Sequence, residues 1–288
     1  MQPTRANLRS PNTTSRKPAA TEPADTWTAD QIAAYAGDPD FMTSLARGLA
    51  VVRGFSQQQR GLSIAQLSLR TGIPRAAVRR CLYTLEKLGY VAAEDERTFA
   101  LRPQILSLGH AYLSSTPLVM AAQPVLDRVS AALYESCSLA IMDSDEILYV
   151  ARSASGKRLL SIDLGVGSRL PAHCTSMGRV LLAGLAPDDL ASYLRRVKLA
   201  PHTGRTIVSR ERLAEVLAGV RDVGYALVDQ ELEIGLRSIA VPVKDSRSRV
   251  VAAINIGTQA SRVSVAEMQR SFLPALRDAA AELGLIAA

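Results

Sequence analysis

The chain has 288 residues, 48% of them apolar, and 34 Lys and Arg against 27 Asp and Glu for a net charge of +7, enough for about two domains with real cores. Its apolar runs fall well short of the roughly 18–20 residues that a membrane span requires, which argues against a membrane protein. No apolar run with a small-residue cleavage site follows the start, and three widely separated cysteines (Cys81, Cys137, Cys174) suit free thiols in a cytoplasmic protein better than a secreted disulfide framework.

Residues 1–40, rich in Pro, Thr, Ser and Ala without a sustained apolar period, read as a disordered tail. A helix is expected from a Ser44 cap to about Phe55, with Leu45, Leu49 and Val52 as its buried stripe. A polar connector, 57–61, leads into the segment 63–88. There Ser63 followed by Gln66 is a capping-box pattern, and Thr71-Gly72 supplies a left-handed stop. Pro74 suits a second helix start, after which Val78, Leu82 and Leu85 fall on one apolar face. Arg75 and Arg79 stand one turn apart on another face, with Arg80 beside them. Two short helices with cations on the second have the form of a helix-turn-helix that reads a major groove.

Charge supports that reading. From 41 to 85 there is no Asp or Glu but seven arginines, and 41–116 carries net +6, against −1 for 1–40 and +2 for 117–288. A basic module on a nearly neutral body is the footprint of phosphate binding. The alternative, a basic hairpin docking on another protein, accounts less well for cations gathered on the second helix.

Beyond 88 the period changes. Residues 89–91 and 98–101 flank Glu94-Asp95-Glu96-Arg97, a hairpin with a charged tip that makes the module a winged helix. The wing is acidic apart from Arg97, so that residue is its expected phosphate contact; Ser63, Arg75, Arg79, Arg80, Tyr83 and Arg97 form the candidate DNA-facing set. A helix beginning at Pro103 suits a linker and dimer contact, and a longer helix over 118–135 is interrupted near Pro124, with Leu126, Val129 and Leu133 on one face. Strand candidates follow at 138–142, 147–152, 159–163, 225–228, 238–243 and 250–256, with helices at 175–184, 188–195, 210–223 and 264–285. This order implies an α+β domain around a largely antiparallel sheet.

Three segments then bear a family resemblance: 41–51, 73–90, and 230–242, which reads Gln-Glu-Leu-Glu-Ile-Gly-Leu-Arg-Ser-Ile-Ala-Val-Pro. They resemble the IclR family of bacterial transcription regulators. Segments 108–118 and 170–179, the latter Leu-Pro-Ala-His-Cys-Thr-Ser-Met-Gly-Arg, resemble the branch of PcaR, PcaU and PobR, regulators of aromatic catabolism and the β-ketoadipate pathway. The resemblance implies a winged helix-turn-helix over 41–102, a linker helix over 103–116 and a GAF-like effector-binding domain over 117–288. It implies operator DNA, a small aromatic or dicarboxylic acid effector, a homodimer or homotetramer, and RNA polymerase as partners, and an activator's role. Carried over position by position, Ser176 and Met177 offer amides to the ligand at a helix start, where N–H groups favour an anion. Leu159, Ile162, Leu170 and Leu236 match apolar walls and Ser238 a polar contact, while an acidic family position falls on Val228, with Asp229 next to it as the candidate. Arg152, ending a strand candidate, is the expected counter-ion, because a guanidinium grips a carboxylate bidentately. Arg237 is expected to brace the Glu231 region.

Enzyme readings find little support. His110, His173, His202 and the cysteines show no metal-ligand spacing, so neither metal nor cofactor is expected. Adjacent His173 and Cys174 point to opposite faces of an extended chain, and Ser176 lacks the Gly-x-Ser-x-Gly elbow. A small-molecule hydrolase fused to a DNA-binding module, and a purely architectural DNA-binding protein, are the alternatives.

Overall fold

The computed structural model describes residues 28–55, 61–154 and 164–287. They divide into two compact units, one ending at Leu108 and one beginning at Gly109. Leu159, Ile162 and the strand candidate at 159–163 lie outside the described residues, as does 1–27 of the expected tail.

The first unit contains α1 (Ala29–Ala33), α2 (Thr43–Arg53), β1 (Leu62–Ser63), α3 (Ile64–Thr71), α4 (Arg75–Lys87), β2 (Val91–Ala93) and β3 (Thr98–Leu101). The α3 cap forms as its sequence dictates: the Ser63 hydroxyl accepts from the Gln66 amide, and the Gln66 side chain accepts from that of Ser63. Gly72 closes the helix at φ 69°, where a side chain would be strained, and Pro74 then caps α4. Leu62, Leu67, Ile73, Val78, Leu82 and Val91 bury together with Ala50 and Val51. β1 adds to the expected hairpin, giving an antiparallel order β1-β3-β2.

Two expectations need correction here. Residues 28–40 are not tail-like: Thr28 and Gln31 form a second capping box, Ile32 enters the core, and the Tyr35 and Phe41 rings stack at 4.5 Å. In α2 the cap position is Met42 rather than Ser44, and the buried side is Ala50 and Val51 while Leu45 and Leu49 stay 57% and 52% exposed. The small side is the one that packs on α4, because a close helix approach leaves no room for leucine.

A 3-10 turn (Pro103–Ile105) leads into α5 (Leu106–Ser115), inside which the two units divide. The second unit continues with α6 (Pro117–Leu133), β4 (Ser136–Asp143), β5 (Glu146–Ser153), β6 (Arg169–Pro171), α7 (Ser176–Ala183), α8 (Pro187–Arg196), α9 (Arg210–Val223), β7 (Ala226–Asp229), β8 (Leu236–Lys244) and β9 (Val250–Gln259). It ends with α10 (Val265–Glu267), a π turn (Met268–Phe272) and α11 (Leu273–Gly284). α6 passes Pro124 without interruption. The six strands run β6-β5-β4-β9-β8-β7, every described pair antiparallel.

Strand alternation separates two cores. Leu139, Val150, Ile239, Val241, Ile254 and Ile256 face α6 and α11, whereas Ala140, Ile147, Tyr149, Ala240 and Ala253 face α7 and α9. No single helix among the described residues is long and apolar enough to cross a membrane.

Candidate nucleic-acid interface and effector site

In the first unit, α4 buries Val78 and Leu82 and leaves Arg75, Arg79, Arg80 and Tyr83 exposed. Arg75, Arg79 and Tyr83 recur every fourth residue, so they line one face. Lys87 continues the row, its Nζ 5.3 Å from the Tyr83 ring centroid, a cation that the sequence reading missed although the spacing was visible. The Ser63 hydroxyl is committed to the α3 cap. At the wing, the Asp95 carboxylate accepts from the amides of Arg97 and Thr98 at 2.7 Å each. Those bonds hold its carboxyl below the usual range and fix the turn from which Arg97 projects into solvent.

In the second unit the strand β6 runs into α7 through Ala172, His173, Cys174 and Thr175. The Thr175 hydroxyl accepts from the Gly178 amide at 3.2 Å. The two preceding amides, of Ser176 and Met177, have no backbone partner among the described residues. Ser176 is 1% exposed, and its buried hydroxyl likewise has no partner among them. Two donors and a hydroxyl thus converge at the positive end of a helix dipole. Gly178 makes this possible: a Cβ there would sit 2.2 Å from the Ala172 carbonyl oxygen, so only glycine lets α7 lie so close to the strand that feeds it.

The sheet presents a polar row to the same side. Arg152 pairs with Ser138, and Ser138 with Asn255, all on the face shared with Ala140 and Ala240. Arg152 donates to the Ser138 hydroxyl at 2.9 Å. Ser138 and Asn255 were missed from the sequence because only the register brings them beside Arg152. Ser238 belongs to this face, buried, with Leu236 two residues earlier; Leu170 and Met177 pack in the adjoining core. Asp229 does not. Alternation puts it with Arg237 and Leu227 on the other face, where its carboxylate takes Arg237 at 2.8 Å and Arg205 at 3.1 Å, while Val228 fills the α7-facing position. The Arg237 hydrogen bond is the main cause of the lowered Asp229 pKa.

Arg237 therefore braces Asp229, along with the Val263 carbonyl at 2.6 Å, and not the Glu231 region. That task falls to Arg179, whose guanidinium meets Glu231 at 2.5 Å and the His173 carbonyl at 3.0 Å. Both partners are buried, and the Ile207 amide adds a bond to Glu231 at 3.2 Å.

Comparison with known proteins decides the family. The model of the IclR helix-turn-helix domain matches residues 44–95, and that of the bacterial transcriptional regulator IclR C-terminal domain matches 110–284. The chain belongs to the IclR family. A Pca regulon regulatory protein of Pseudomonas putida is 55% identical over 88% of this chain and 87% of its own. A p-hydroxybenzoate hydroxylase transcriptional activator of Acinetobacter baylyi is 36% identical over 85% and 91%. Among solved structures, the inducer-binding domain of an Acinetobacter PobR double mutant, in complex with 3-hydroxybenzoic acid, superposes with a TM-score of 0.55 at 33% identity, covering 58% of this chain and 97% of that one. This IclR-family chain is accordingly a DNA-binding transcription regulator with a C-terminal effector-type domain, and its relatives are regulators rather than hydrolases.

Proposed function

We propose that the protein is a cytoplasmic regulator of aromatic-acid catabolism genes, most simply an activator, that responds to a small carboxylated aromatic or its ring-cleavage product. The observation that carries the effector assignment is the start of α7: two amides without a backbone partner and a buried Ser176 hydroxyl without any partner among the described residues, with Arg152 on the facing sheet. This is a seat for a carboxylate, with Leu170, Met177 and Leu236 as apolar wall and Ser238 as a polar contact. The names of the relatives point the same way. Arg75, Arg79, Arg80, Tyr83 and Arg97 then meet operator DNA, and α5 links a DNA-binding module at 41–102 to an effector domain at 117–288. Pairing of two modules on a two-fold axis, and contact with RNA polymerase, complete the assembly.

Calorimetry of the full chain against protocatechuate, 4-hydroxybenzoate and β-ketoadipate tests the site. One of these acids binds the wild type, and Leu170→Trp and Ser176→Asp each abolish that binding while operator affinity without ligand is unchanged. Normal inducer affinity in both variants would place the effector elsewhere.

A further inference from the structure

The fold assembles a cluster that no spacing in the sequence betrays. His173 and Cys174 precede α7, and His202 lies 28 positions after Cys174 in the segment between α8 and α9, yet one potential ligand atom from each falls within 4.8 Å of the others. His173 and Cys174 are buried, and the buried Nε2 of His202 has no hydrogen-bond partner among the described residues. A second buried orphan among the described residues is the hydroxyl of Tyr193 on α8. Buried polar atoms left unpaired are uncommon, and an ion or its bound water is one of the few things that satisfies several together.

We propose that His173, Cys174 and His202 form a binding site for a single zinc ion, distinct from the effector seat. Two nitrogens and one sulfur suit zinc, which prefers such donors in a tetrahedron with water in the fourth place. At Zn–N of about 2.1 Å and Zn–S of about 2.3 Å the donors stand roughly 3.3–3.7 Å apart, so the cluster needs to contract by about 1 Å. His202, the half-buried member, is the least enclosed of the three and is the one expected to move. His173 is already oriented, its Nε2 lying 3.2 Å from the Ala200 carbonyl, on the segment that carries His202. Outer bonds of this kind hold metal-binding imidazoles in place.

The electrostatics are mixed. Burial pushes the His173 pKa down to about 4 and lowers that of His202, so both rings are neutral and free to ligate at pH 7. Burial also pushes the Cys174 thiol up to about 12, so the ion itself must displace its proton. Nearby Arg179 opposes a cation, but its charge is met by Glu231. A bound ion ties the turn ahead of α7 to the segment whose Thr203 and Thr206 hydroxyls hold the carbonyls of Gln230 and Glu231. It thereby steadies the helix start on which the effector seat is built.

The full chain, stripped with chelator, is titrated with zinc against a chromophoric competitor and, separately, with cobalt. The expected result is one equivalent of zinc bound below about 1 μM at pH 7.5, and a thiolate-to-cobalt charge-transfer band. Cys174→Ser and His202→Asn each weaken binding at least about tenfold, and Cys174→Ser removes the band, whereas the exposed His110→Asn does neither. Circular dichroism establishes that the variants are folded, and the cobalt band of the wild type reads thiolate ligation without any substitution. Wild-type binding weaker than about 10 μM, a cobalt spectrum without the thiolate band, or zinc affinity unchanged in both folded variants overturns the site.

Discussion

The buried pair Arg179–Glu231 ties the first turn of α7 to the segment around Glu231, and Arg179→Met measures what it contributes. The guanidinium is 3% exposed and the carboxylate 11%, so methionine fills most of the volume and leaves a charge with little water. Among the described residues Glu231 then keeps the Ile207 amide at 3.2 Å alone, and the His173 carbonyl loses the Arg179 donor at 3.0 Å. Stranding one partner of a buried pair costs about 3–5 kcal/mol; slight exposure of Glu231 puts the expected value near the lower end, about 3 kcal/mol. Against domain stabilities of about 5–15 kcal/mol that is a large fraction. Urea unfolding of the wild type, Arg179→Met, Glu231→Gln and the double variant gives the coupling. Arg179→Met/Glu231→Gln should recover at least about 1 kcal/mol relative to the sum of the single changes, because the amide has no charge to strand. A loss below about 1 kcal/mol for Arg179→Met, or strict additivity, would refute the claim that this pair is buried and mutually compensating.

Arg79→Ala should weaken specific operator binding by about 1–3 kcal/mol in footprinting titrations, and wild-type affinity should fall steeply with salt as counterions are released; unchanged sequence preference, or a flat salt response, counts against the α4 face. The exposed Leu45 and Leu49 of α2 call for a partner, so the wild type should sediment as a dimer or larger at micromolar concentration and Leu49→Glu should shift it toward monomer. A wild-type monomer would remove that reading. In the metal-free protein, prepared with chelator, His173, whose pKa burial lowers from 6.5 to about 4, binds its proton more readily when unfolded, so its contribution is complete above pH 6.5 and is lost as pH falls toward 4. At 1.36 kcal/mol per pH unit this amounts to at most about 3 kcal/mol, and His173→Gln should flatten the pH dependence of the urea midpoint between pH 7 and 4.5; an unchanged slope contradicts it.

Local rules carried much of the architecture. The Ser63–Gln66 box, Gly72 and the Val78–Leu82 spacing are short-range devices, and each produced the element its chemistry demands. α9 likewise begins and ends where Ser209 and Gly224 stop the apolar period. The failures were tertiary. α2 is apolar on two sides, and periodicity does not say which side meets α4, so a stripe through Leu45 and Leu49 fits the period as well as the side of Ala50 and Val51 that is buried. α1 carries its own capping box, yet it is too short and too polar for a period to show. β6 spans only Arg169–Pro171 and is defined by its pairing with β5. At the candidate site the helix start could be read, but the facing row could not. Whether Val228 or Asp229 looks toward α7 turns on a single step of register, and Arg152, Ser138 and Asn255 meet only through ladder pairing. The His173, Cys174 and His202 cluster is invisible for the same reason, since its members join across two intervening helices, α7 and α8.

A well-built anion seat is not in itself a switch. Gly178 fits α7 against Ala172, Thr175 caps it and Arg179 ties its first turn to Glu231, so the amides of Ser176 and Met177 are positioned before any ligand arrives. Preorganisation of this kind yields affinity, because little ordering is left to pay for on binding. It does not yield regulation: a ligand that meets the same amides in both conformations binds both equally and shifts nothing. The differential free energy that moves a regulator, typically about 1–3 kcal/mol, must come from groups that change their contact with ligand between states. In the second unit the residues best suited are those the rigid network leaves looser. Arg152 and Leu236 are only half-buried, whereas Ser176, Met177 and Leu170 are enclosed. On this division of labour the α7 start sets how tightly an acid is held, and the sheet side sets whether holding it changes anything.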